Sequence, residues 1–453
     1  MSITRHFVTV EGRSIHYRKA GAGPPLLMAH QSPRSSAEYA PLMERWAGHF
    51  TCIAPDTPGF GQSDPLPGEP EIAEFGDAVI GFLDALGLER VAAYGFHSGG
   101  IILMNALKRF PERFAALAIG GYAIWTDEER AHFGDAYLPP FEPRPYGEHL
   151  AWLWSRVLEQ SWFFPWFDAR DEARLSVAHA DLAKIDATVR DMLDSGAAYR
   201  AGYGAVLRAE RDIPAADAAM PPVLIAAYDG DPLQAHIDRL GDMPTGWRAE
   251  KVATPAELEA VALARLQAAS LPDCPLLPDS PERGFAHVTA GGFDGLIHWR
   301  GGPDATLLAV HAPGEEGEAL AAPGVTAIDL PGHGLSDDWP GAAPTDWEPW
   351  RQVAEAACAA LACDGISYAR APAGEADRLF PDLAPDRFGA YLLKAWQIAR
   401  ARVLFEPWYE ADAAHARAFD PAALDPGRLA RRHKILLNAR AARALHIARQ
   451  TVI

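Results

Sequence analysis

Short apolar runs alternate with helical segments through the first quarter of this chain. PPLLMAH, FTCIAPD, VAAYG and RFAALAIGG are separated by Ser36 to Trp46, Ala73 to Leu88 and Gly99 to Phe110. An uninterrupted apolar run reads as a strand buried on both faces, and a helix between successive runs makes their pairing parallel. The pattern leaves room for little besides an α/β architecture with helices on both sides of one sheet. HFVTVEG and SIHYRKAG precede these runs as two β-branched and aromatic strands around a glycine turn.

From Asp135 to Ala209 the pattern changes to helices dense in aromatics, including HLAWLWSRVLEQSWFFPWF. PPVLIAAYDGDPL then restores strand, turn and acidic residue, WRAEKVA reads as a last strand, and Pro255 to Ala269 as a last helix. The motifs at the strand ends are AHQSP after the third, APDTPGFGQSD after the fourth, GFHSGG after the fifth and DGDP after the seventh. Together they resemble the α/β-hydrolase fold with a helical cap, over roughly residues 5 to 270.

In that family the turn after strand five projects a nucleophile between two glycines, in a strained conformation that needs small neighbours. Here Gly95 and Gly99 flank His97, and the serine, Ser98, stands one place late. With Ser98 at the tip, Phe96 would occupy a position where a bulky ring clashes, so His97 is the favoured tip residue. The alternative is a rearranged loop in which Ser98 remains the nucleophile.

The resemblance implies further roles. Asp231 holds the place of the triad acid, while Asp229 reads as a turn former. The oxyanion hole would use the N–H of Ser98 and that of Gln31, in a loop where His30 and Gln31 replace the usual His-Gly pair. Arg34 in the same loop is a bidentate donor suited to a substrate carboxylate. The third triad member is missing: no histidine occurs from Ile237 to Ala286, and His236 reads as a surface residue. An imidazole mounted on the elbow reaches further than a hydroxyl, so the expectation is a His97–Asp231 dyad acting as general base or nucleophile.

The aromatic-rich cap, with Trp154 among its candidates for substrate contact, would provide an apolar cleft for a small organic molecule. No metal-ligand spacing, phosphate loop or dinucleotide fingerprint occurs, so no cofactor is expected.

After the linker-like AASLPDCPLLPDSPERG, residues 285–453 echo the beginning of the chain. IHYR recurs as IHWR, LLMAH as LLAVH, and IAPDTPGFGQSD as TAIDLPGHGLSD, pairing Asp56 with Asp329 and Gly61 with Gly334. Trp154 pairs with Trp396 and Pro165 with Pro407 at one constant offset. Between these blocks the copy is shorter by about one helix and one strand, and Pro372 stands at the elbow tip. The expected organisation is a capped α/β-hydrolase domain over 1–270 (cap about 135–210), a linker at 271–284, and a degenerate partial repeat from 285. The repeat cannot carry a triad. It would wall the first pocket, through His287, His298, His311 or His333, or form a homodimer contact.

Composition excludes some partners. Lys and Arg number 41 against 60 Asp and Glu, a formal charge of −19 without basic blocks, which argues against nucleic acid and anionic membrane. The unpaired cysteine spacing and the absence of a long apolar run point to a cytoplasmic protein. Two functions remain: a hydrolase-like enzyme, including cofactor-free lyase or proton-transfer chemistry, or a non-catalytic pseudo-hydrolase that binds a ligand or serves as a scaffold.

Overall fold

The computed structural model describes residues 2–134, 136–175, 181–210, 213–302 and 304–451. The chain forms two units: one of residues 1–142 and 155–279, the other of residues 143–154 and 280–453. The first therefore extends through most of the expected linker. Leu277 is buried in its core, the Cys274 N–H donates to Gly23 O at 2.9 Å, and His6 meets Asp279 at 2.8 Å. Residues 143–154, expected within the first unit's cap, group with the second.

The first unit is built on β1 (Thr4–Val10), β2 (Arg13–Ala20), β3 (Pro25–Ala29), β4 (Thr51–Pro55), β5 (Val91–Phe96), β6 (Phe114–Gly120), β7 (Val223–Tyr228) and β8 (Arg248–Val252). They form one eight-stranded sheet in the order β1-β2-β4-β3-β5-β6-β7-β8. The pairings from β4 through β8 are parallel, and β3 and β6 are buried at every position. Both faces are covered, as continuous apolar strands demand. One carries α1 (Ala40–Trp46), and another apolar cluster holds α2 (Ile72–Ala85) and α3 (Ser98–Arg109). A capping box between Glu71 and Glu74 starts α2. Between β6 and β7 come α4 (Asp127–Phe133), α5 (Glu148–Gln160), α6 (Leu182–Ser195) and α7 (Ala198–Arg208), and α8 (Pro255–Gln267) follows β8.

A buried carboxylate organises the loops above the sheet. Asp56 accepts from the Ser36 N–H at 2.8 Å, from the Gln62 N–H at 2.8 Å and from His16 Nδ1–H at 2.8 Å. Burial works to raise its pKa, yet His16 and these donors hold it below the carboxylate range. Burial pushes His16 down to about 4, so it donates as a neutral ring.

The second unit has a five-stranded partial sheet of β9 (Arg283–Ala290), β10 (Phe293–Arg300), β11 (Leu307–Val310), β12 (Val325–Ile328) and β13 (Gly365–Tyr368). Its order, β13-β11-β12-β10-β9, repeats that of β1 to β5. The frame around Asp329 is also the same: this carboxylate takes the Gly317 N–H at 2.7 Å, the Leu335 N–H at 2.9 Å and His298 Nδ1–H at 2.9 Å. Its helices are α9 (Trp347–Ala360), α10 (Ala376–Leu379), α11 (Ala390–Leu404), α12 (Pro426–Asn438) and α13 (Ala442–Gln450).

Within this unit residues 143–154 and α11 pack reciprocally. Trp154 Nε1–H donates to Arg387 O at 3.1 Å, and Trp396 Nε1–H to Pro145 O at 3.3 Å. A Cβ on Gly389 would lie 2.5 Å from the Trp154 ring, and one on Gly147 3.0 Å from the Trp396 ring. Each indole thus needs the glycine opposite it.

Candidate active site

His97 occupies the tip of the turn between β5 and α3, with φ 48° and ψ −114°. A side chain at positive φ is held there only by its surroundings. Here the His97 N–H donates to Gly120 O at 2.8 Å, and its carbonyl accepts the Ile101 N–H at 3.1 Å, starting α3. The flanking glycines are sterically required. A Cβ on Gly95 would stand 2.6 Å from Gly100 N, and one on Gly99 2.0 Å from Ala29 O.

The ring stacks on Phe96 with centroids 4.1 Å apart, and Nε2 lies 3.0 Å from Asp231 Oδ2 and 3.2 Å from Oδ1. Asp231 is buried and also accepts the Leu233 N–H at 2.8 Å. Burial alone would raise its pKa, but His97 and the Leu233 N–H outweigh burial and hold it below the ordinary carboxylate value. An ionised acceptor puts the ring proton on Nε2 and the lone pair on Nδ1, which has no hydrogen-bond partner among the described residues. Asp229 is exposed, its N–H bonded to Val252 O at 3.0 Å.

Ser98 is the first residue of α3, and its buried Oγ accepts the Ser32 N–H. Its own N–H stands where a helix leaves donors unpaired. Gln31, expected as the second oxyanion donor, is committed elsewhere. Its N–H bonds to Glu38 Oε1 at 2.7 Å and its Nε2 to Glu38 Oε2 at 3.0 Å. Glu38 is half-buried, and desolvation pushes its carboxyl up.

His30 is a structural post: Nε2 accepts the Thr57 N–H at 2.9 Å, so Nδ1 carries the proton and meets Gln31 O at 3.0 Å. Arg34 pairs with Asp191, with Nε 2.8 Å from Oδ2, while Ser35 Oγ holds Oδ1 at 2.7 Å. That pairing consumes the charge expected to meet a substrate. Trp154 is buried in the second unit and lines no part of the cavity at His97.

That cavity, about 490 Å³ counting its mouth, has Ile101, Trp125, Phe133 and Phe164 in its wall, with Tyr137 and Tyr203 adding hydroxyls 2.8 Å apart. Burial pushes both phenols up, so they stay neutral. Of the cap aromatics singled out by sequence, Phe164 lines it, whereas Trp162 is exposed. His236 proves buried rather than superficial. Its Nδ1 accepts the Ile124 N–H at 2.9 Å, and burial pushes it down to about 4.

Sequence reasoning missed Gly121, at φ 66° just past β6: a Cβ there would come within 2.5 Å of His97 Cδ2 and 3.0 Å of Asp231 Oδ2. The paired glycines ending RFAALAIGG were the available signal. His298, His311 and His333 are buried in the second unit, and His287 is exposed beside Asp294 at 3.3 Å.

A model of the α/β hydrolase fold family matches residues 24–233. Haloalkane dehalogenase 2 of Mycobacterium tuberculosis is 33% identical over 129 residues, covering 28% of this chain and 45% of that protein. A cis-3-alkyl-4-alkyloxetan-2-one decarboxylase of Shewanella oneidensis is 30% identical over 149 residues, covering 31% of this chain and 42% of the relative. The chain thus spans less than half the length of these curated relatives. Among solved structures, epoxide hydrolase A from Mycobacterium thermoresistibile aligns with a TM-score of 0.45 and 17% identity, over 60% of this chain and all of that one.

Proposed function

The first unit of this chain belongs to the α/β-hydrolase fold superfamily, and from that premise we propose that it is an enzyme whose general base is His97. The observation carrying this reading is the 3.0 Å contact between His97 Nε2 and a buried, ionised Asp231. The carboxylate fixes the tautomer and stabilises the imidazolium that forms when Nδ1 takes a proton from water or from a substrate. Nucleophilic attack by the ring is the lesser reading: with the Gln31 N–H bound to Glu38, a tetrahedral oxyanion would meet one backbone donor rather than two.

The cavity's size and apolar wall favour a small, apolar or aromatic organic substrate. The two curated relatives are named for a haloalkane and an alkyl oxetanone, which supports a small organic substrate. Hydrolysis by activated water, or a cofactor-free lyase or proton-transfer step, fits the same base.

A panel of p-nitrophenyl esters, assayed on the wild type, His97→Ala, Asp231→Asn and Ser98→Ala, tests the assignment. Turnover lost in the first two variants supports it. Turnover that survives His97→Ala and disappears in Ser98→Ala transfers the role to the serine and sinks it. The committed Gln31 donor favours a second reading, a ligand-binding pseudo-hydrolase. Silence across the panel, with a small molecule retained tightly from extract, would select that reading.

A further inference from the structure

A cavity in the second unit, about 780 Å³ counting its mouth, is lined by Arg402, Arg428, Arg431 and Arg432. The last three lie on one face of α12, at spacings of three and four residues, in a chain whose formal charge is −19. Like charges at those spacings destabilise a helix slightly. Their counter-charges are few and loose. Glu315 stands 3.6 Å from Arg402, and Glu316 and Glu318 each stand 3.7 Å from Arg431, all beyond hydrogen-bond distance. Among the described residues no carboxylate approaches Arg428 or Arg432 within 4.0 Å. Burial also pushes the Glu315 carboxyl up, against the pull of Arg402 and Arg432.

We propose that this cavity binds the phosphate head of a soluble or lipid phosphate monoester. A monocarboxylate has two oxygens and is satisfied by one guanidinium fork. Four guanidinium groups lining one cavity, Arg402 from α11 and three from α12, suit a dianion with three terminal oxygens. Ala399, Ile435 and Leu436 complete the lining and offer an apolar surface for the organic part. The site uses no residue of the His97 dyad, so it stands or falls independently of the proposed catalysis.

The test is calorimetric titration of the full chain with inorganic phosphate, hexyl phosphate and hexanoate at constant ionic strength, and co-sedimentation with vesicles containing phosphatidate. The expected result is saturable binding of hexyl phosphate, about tenfold tighter than hexanoate and weakened about tenfold or more by the double variant Arg428→Gln/Arg432→Gln. Arg417→Gln, outside the cavity, should leave binding unchanged. Vesicle binding lost in the same double variant also supports the proposal and identifies a lipid as the source. No saturable binding to any phosphate probe, equal affinity for hexanoate, or unchanged affinity in the double variant overturns it. Both arginines are exposed on α12, and a circular dichroism melt of the variant establishes that it is folded before titration.

Discussion

The loops around Asp56 and those around Asp329 are built alike, but the turns after the next strand differ. In both places a buried carboxylate takes two backbone N–H groups and a histidine, and another histidine (His30 or His311) bridges neighbouring loops. Gly61 at φ 52° and Gly334 at φ 50° let the chain close over these carboxylates, leaving no room for a Cβ. After β5 the chain turns through His97 into the twelve-residue helix α3; after β13 it reaches Pro372 and then the four-residue α10. A proline ring locks φ near −65°, so it cannot adopt the conformation of His97. The carboxylate frame therefore shapes strand ends in both units, and what differs between them is the elbow, where the proposed base stands.

The largest effect expected from this contrast is on turnover. His97→Ala should lower kcat/KM on any ester the wild type hydrolyses by about 10²- to 10⁴-fold, the usual weight of a general base. Pro372→Ala should leave it unchanged. A comparable loss from both would make the two turns functionally equivalent and break the distinction.

Next in size are the frames themselves. Asp56→Asn and Asp329→Asn each replace a buried carboxylate by an amide that cannot accept from every donor around it, an expected loss of about 1.5–3 kcal/mol. Urea denaturation followed by tryptophan fluorescence measures both, and a negligible loss at either site would show that its frame is decorative. Gly121→Ala strikes the dyad directly. Its Cβ must displace the His97 ring, so turnover should fall by about 10²-fold, as for a misplacement of roughly 1 Å, and the strain of a side chain at φ 66° should also lower Tm.

The smallest effects concern titration. Removing the ring in His97→Ala leaves burial to dominate at Asp231, so its carboxyl should titrate at higher pH by ¹³C NMR. In the wild type, Asp231 contributes stability above the unfolded carboxylate pKa that is lost as pH falls through the depressed folded value. His16 adds to the acid lability. Its folded pKa is about 4, so the unfolded chain takes up the proton first, and stability should fall as pH drops from about 6.5 toward that value. Thermal melts across that range should show the decline, and His16→Gln should flatten its slope.

Much of this arrangement was legible in the chain itself. Continuous apolar runs located β3 to β7, because burial on both faces leaves an unmistakable composition, whereas β1 and β2 were read from β-branched and aromatic residues around a glycine turn. The glycines around His97 marked the elbow, since only small residues fit where helix and strand backbones nearly touch. Side-chain partners across the fold were far less legible. Arg34 and Gln31 look like free donors until Asp191 and Glu38 arrive from elsewhere in the unit, and Trp154 looks like a pocket wall until residues 143–154 join the second unit.

Local pattern alone determined that this chain builds a mostly parallel sheet, that motifs of its opening strands recur after residue 285, and that His97 stands between two glycines at the turn after β5. Those facts depend on steric room and apolar periodicity, which act between near neighbours. Only the tertiary structure decided which polar groups are already spoken for. Buried donors and charges must find partners wherever the fold brings them, and sequence distance carries no record of that meeting.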